Sequence, residues 1–90
     1  MPMFVAIRSL PGITPDALAG AGARVKTCAA GMRNEGTQVA WVRSFFLPES
    51  SQTHCYFDGP SLAAVTELNE RAGLPYERIV PVAELTPATV

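Results

Sequence analysis

Six side chains of this sequence are of types that could do chemistry together: Arg8, Trp41, Arg43, Phe45, His54 and Tyr56. Each falls at an alternate position of a stretch that reads as a β-strand, and side chains two apart along a strand share one face. Two guanidiniums can each donate twice to a carboxylate, which suits an anionic or carbonyl-bearing ligand. Trp41 and Phe45 offer flat surfaces for stacking on a planar ring. His54 could move a proton near neutral pH, with Tyr56 as a hydrogen-bond partner for the bound molecule. The expectation is a face with ligand-binding residues Arg8, Trp41, Arg43 and Phe45 and catalytic candidates His54 and Tyr56.

The elements that must position them follow from local pattern. Met3–Ser9 alternates Phe4, Ala6 and Arg8 with Val5 and Ile7 and reads as a strand, closed by Leu10-Pro11-Gly12. Thr14-Pro15-Asp16 starts a helix, with Thr as N-cap, Pro in the first turn and an acid near the positive dipole end. Its inward stripe is Leu18, Ala21, Val25, Cys28, Ala29 and Met32, and Asn34-Glu35-Gly36 stops it. Close approach of this helix to the sheet is the expected reason for Gly20, Gly22 and Gly31. A second strand, Gln38–Phe46, and a third, Thr53–Asp58, flank a polar hairpin loop at Pro48–Gln52. Ser61 caps a second helix to Arg71 with Val65, Leu68 and Ala72 inward, and Gly73 ends it. The last strand, Arg78–Leu85, contains Pro81 and therefore belongs at a sheet edge.

The order strand, helix, strand, strand, helix, strand predicts a ferredoxin-like α+β fold, with two helices on one face of a four-stranded antiparallel sheet and the other face open. Arg8, Trp41, Arg43, Phe45, His54 and Tyr56 are expected on that open face, beside Phe4 and Ala6. Residues 1–86 form one domain and residues 87–90 a flexible tail.

Seven basic and eight acidic residues give a net charge of −1. That field is too weak to point to nucleic acid or an anionic membrane, so neither is an expected partner. No apolar run reaches the ~18–20 residues of a membrane span. The N-terminal Met1-Pro2-Met3-Phe4 reads as the approach to a strand and not as a signal, so the expected location is cytoplasmic. Cys28 and Cys55 lack C-x-x-C spacing and read as small buried thiols, with a soft metal pair or redox couple as the sharper alternative.

Leu10-Pro11-Gly12, Lys26-x-Cys28, Trp41-x-x-Ser44, Cys55 followed by Pro60, and Ala72-Gly73-Leu74-Pro75-x-x-Arg78-Ile79 run in order along nearly the whole chain. In these features the sequence resembles a bacterial family of small, uncharacterised domains often labelled nickel-binding. The resemblance implies a ferredoxin-like protomer, a homodimer, and in some members a transition-metal site that uses histidine. Where relatives are expected to carry histidine, this chain has Arg43 and Leu68 or Asn69, which leaves His54 as its one metal-ligand histidine. Nickel and zinc sites need three or four imidazole, thiolate or carboxylate ligands. The chain therefore implies no cofactor of its own, with nickel or another transition metal as the alternative.

Phe4, Trp41 and Phe45 on an open face would be buried by a second copy, and a pocket between sheet and partner would take a small organic molecule. The expected function is small-ligand binding on the open sheet face. A cofactor-independent enzyme of cyclase or monooxygenase type, similar in fold to dimeric ferredoxin-like enzymes, is the first alternative, and a nickel-binding protein is the second. No nucleophile elbow, phosphate loop or metalloprotease helix is present to strengthen the enzymatic reading.

Overall fold

The computed structural model describes residues 1–90. In chain order it contains β1 (Met3–Ser9), α1 (Pro15–Asn34), β2 (Ala40–Leu47), β3 (Gln52–Asp58), α2 (Leu62–Arg71) and β4 (Arg78–Val82). The four strands form one antiparallel sheet in the order β2-β3-β1-β4, which is the ferredoxin-like arrangement. Pro81 lies on β4, an edge strand, where a missing N–H leaves no gap in a central ladder. β4 ends at Val82, three residues before the expected Leu85.

Both helices begin where their caps dictate. The Thr14 hydroxyl accepts from the Ala17 N–H at 3.1 Å, and the Ser61 hydroxyl accepts from the Ala64 N–H at 3.1 Å. Gly36 and Gly73, with φ of 98° and 68°, carry the chain out of the two helices. α1 buries Ala21, Val25, Ala29 and Met32, and α2 buries Val65, Leu68 and Asn69. These residues meet Phe4, Ala6, Cys55 and Phe57 from the sheet in one core.

Two local features shape how the sheet meets the helices. Gly59 leaves β3 so close to α2 that a Cβ there would lie 2.7 Å from Val65 Cγ2. Only glycine lets that crossing close without moving a buried side chain. The second feature is a bulge in β2. Trp41 pairs with Phe57, but Arg43 pairs with Tyr56, so Val42 is an extra residue. A bulge reverses the parity of everything beyond it. Trp41 therefore faces the helices together with Ser44 and Phe46, while Arg43 and Phe45 face away.

That parity change corrects the expected face. Arg43, Phe45, His54 and Tyr56 do share the open side of the sheet, in register across β2 and β3. Arg8 and Trp41 lie on the opposite side, under the helices. Arg8 is opposite Thr53, in line with the buried Ala6, Cys55 and Phe57, and is 1% exposed. Phe4 and Ala6 belong to the core as well. The reason lies in space and in partners: β1 offers its smallest side chain, Ala6, where the core is fully closed, and Arg8 finds hydrogen-bond acceptors at the end of α2. Of the glycines in α1, Gly22 alone meets the sheet side, where a Cβ would lie 3.1 Å from Trp41 Cη2; Gly20 and Gly31 face open space.

Candidate functional site

Beneath the N-terminal half of α1, the helix and the sheet separate around a cavity of about 480 Å³. α1 contributes Leu18, Ala21, Gly22 and Val25; β2 contributes Trp41, Ser44 and Phe46; β3 contributes Thr53, Cys55 and Phe57; Arg8 comes from β1. The separation follows from residue size. Where α1 carries Ala21 and Gly22, no long side chain spans the gap, and the Trp41 ring lies against Gly22. Further along, Val25, Ala29 and Met32 close the space against the sheet.

The wall is mostly apolar, and its polar groups are few and placed. Arg8 Nη2 donates to Asn69 Oδ1 at 2.8 Å, and Arg8 Nη1 donates to the Pro75 carbonyl at 3.2 Å. Asn69 is itself buried, and its Nδ2 donates to the Val65 carbonyl at 2.9 Å, which turns its oxygen toward Arg8. Trp41 Nε1 donates to Ser44 Oγ at 2.9 Å, which fixes the indole edge. Thr53 is 3% exposed, and its Oγ1 is buried without a hydrogen-bond partner. Buried hydroxyls are almost always paired in folded proteins, so this one marks the cavity as unusual.

The open face is a different place. A smaller hollow of about 380 Å³ there is lined by Met3, Val42, Arg43, Phe45, Tyr56, Val82, Ala83 and Glu84. Phe45 is 57% exposed and meets Tyr56 edge-on, with ring centroids 6.3 Å apart. His54 is half-buried between its cross-strand neighbours Ile7 and Phe45. Cys28 and Cys55 are free thiols, and Cys55 points into the core, on the other side of the sheet from His54. No group of three or more His, Cys, Asp or Glu side chains converges in a way that could hold a metal ion. No helix is long and apolar enough to cross a membrane.

The six residues expected on one face of the sheet are divided between its two sides. The structure keeps Arg43, Phe45, His54 and Tyr56 together and gives Arg8 and Trp41 to the helix-side cavity. It adds Thr53, which the sequence did not single out, and it brings Ser44 and Asn69, noted in the sequence only through the family resemblance, into contact with Trp41 and Arg8. One signal was available: Thr53, Cys55 and Phe57 alternate on β3 and mark its enclosed side, so the polar member of that set is a buried polar group in waiting.

The sequence model described as "Nickel responsive protein SCO4226-like" matches residues 4–82. The chain belongs to that family. Its fold is similar to the crystal structure of SCO4226 from Streptomyces coelicolor A3(2), with 29% sequence identity and a TM-score of 0.75, over 93% of this chain and 99% of that one. No curated protein matches the chain.

Proposed function

We propose that this protein binds a small organic molecule in the cavity between α1 and the sheet. The observation that carries the reading is the buried, unpartnered Thr53 hydroxyl on a mostly apolar wall. The cavity volume falls within the ~300–1,000 Å³ common for ligand sites, and a mostly apolar lining with a few oriented polar groups is their usual chemistry. Free thiols at Cys28 and Cys55 suit a reducing compartment, which supports work in the cytoplasm.

Nickel, named in the family's description, does not fit the residues of one protomer. The one histidine has Ile7 and Phe45 as its cross-strand neighbours, and no set of three suitable donors converges around it. An enzymatic reading keeps Arg43, His54 and Tyr56 as its residues, since these share the open face, but it loses Arg8 and Trp41 to the other side of the sheet.

A native mass spectrum of protein purified without chelator tests the proposal. The expected result is a retained organic mass that persists in Arg43→Ala and His54→Ala and disappears in Ala21→Leu, which fills the cavity. An organic mass lost with Arg43→Ala and kept in Ala21→Leu moves the ligand to the open face. A bound metal and no organic mass overturns the proposal in favour of the nickel reading.

A further inference from the structure

The cavity contains a charge that the protein does not balance. Arg8 is buried, and a guanidinium stays charged and offers five N–H donors. Its two protein acceptors, the Asn69 side-chain oxygen and the Pro75 carbonyl, are both neutral. The ion pairs of the molecule lie elsewhere, between Arg71 and the carboxylates of Glu35 and Glu67. Among the residues lining the cavity there are two cations, Arg8 inside and Lys26 exposed, and no acid. Burying a charge without a counter-charge is unfavourable unless something else completes its shell.

The second unbalanced group stands next to the first. Thr53 is the direct cross-strand partner of Arg8 in the antiparallel pair of β1 and β3, and both side chains project to the helix side. Directly opposed residues bring their side chains within reach of one common group. A hydroxyl with no acceptor and a guanidinium with spare donors are complementary to a single anion, and a carboxylate accepts from both. The rest of the wall, including Leu18, Val25, Phe46, Phe57 and Leu74, suits an apolar body attached to that anion.

We infer that the cavity takes a small organic acid, its carboxylate held by Arg8 and Thr53 and its apolar body beneath α1. This inference rests on the ligand-binding reading above and narrows it to a chemical class. Lys26 at the rim draws anions toward the mouth, and the neutral acceptors from Asn69 and Pro75 hold the guanidinium in place without neutralising it. Inorganic anions would satisfy Arg8 but leave the apolar wall uncovered.

Trp41 is the one tryptophan of the chain and forms part of the wall, so its fluorescence reports on the cavity directly. The test is a titration at neutral pH with octanoate, 1-octanol and octylamine, which share an apolar body and differ in the head group. Octanoate is expected to give a saturable change, with 1-octanol weaker by about tenfold or more, as for loss of a charge-assisted hydrogen bond, and octylamine weaker still. Arg8→Met removes the preference for the acid over the alcohol. Thr53→Val weakens octanoate more than 1-octanol, whose neutral oxygen accepts a weaker hydrogen bond; it exchanges a hydroxyl for a methyl of the same shape and decides the matter if Arg8→Met fails to fold. Equal binding of octanoate and 1-octanol overturns the acid inference and leaves the cavity reading standing. If no probe alters Trp41 emission, both fall.

Discussion

At the scale of single residues, Thr53 separates stability from function. Its hydroxyl is buried with no partner, so the folded protein bears the desolvation of that group without a hydrogen bond in return. Thr53→Val removes the penalty while keeping the shape. The expected outcome in thermal or urea unfolding is a protein more stable by roughly 1 kcal/mol, and the same variant binds an organic acid less well. A residue kept only for packing would show the first effect without the second. Arg8 behaves differently, because it ties β1 to Asn69 and Pro75 while serving the cavity, so its loss lowers stability and acid binding together.

At the scale of elements, the fold was legible because its boundaries are written in local chemistry. Thr14 and Ser61 cap the helices as their sequences suggest, Pro81 marks an edge, and the alternation of β3 correctly separates Cys55 and Phe57 from His54 and Tyr56. The candidate site was half legible. A bulge is a one-residue event in the pairing of β2 with β3, and nothing in the run Ala40–Leu47 distinguishes a regular strand from one with Val42 as an extra residue. The inward turn of Arg8 was hidden for another reason. A charged residue at the end of a strand reads as exposed, and the groups that make its burial tolerable, Asn69 and Pro75, are more than sixty residues away in sequence.

Two predictions belong to this scale. Gly59→Ala places a methyl 2.7 Å from Cγ2 of the fully buried Val65, so that side chain or the backbone must shift, and is expected to destabilise the protein by about 1–3 kcal/mol in denaturant unfolding. The Arg71 guanidinium donates to both oxygens of Glu35, at 2.7 and 2.8 Å, and joins the end of α1 to α2. That hydrogen bonding holds the Glu35 carboxyl below its ordinary value. A carboxyl lowered on folding adds stability above its unfolded value, and the contribution is lost as pH falls through the lowered folded value. Wild type should therefore lose stability across the acidic carboxylate range more steeply than Glu35→Gln. The difference should shrink in high salt, because the pair is exposed.

At the scale of the whole molecule, the two sides of the sheet differ in character. The helix side contains the cavity proposed to take a ligand. The open side presents the exposed Phe45 and Val42 beside Tyr56 and Val82, an apolar surface suited to burial by a second copy of the chain. Light scattering is expected to give a dimer for the wild type and a monomer for Phe45→Glu, with the cavity's affinity for octanoate little changed. A wild-type monomer would leave that surface without the role proposed for it.

A ligand under α1 and a ligand on the open face touch different residues, and amide and indole chemical shifts read that difference residue by residue. A nitrogen–proton correlation map of the labelled protein, recorded through a titration with octanoate, is the most direct measurement. Shifts are expected to concentrate at Arg8, Leu18, Val25, the Trp41 indole and Thr53. Shifts concentrated instead at Arg43, Phe45, His54 and Tyr56, or an unchanged map, would contradict a ligand site under α1.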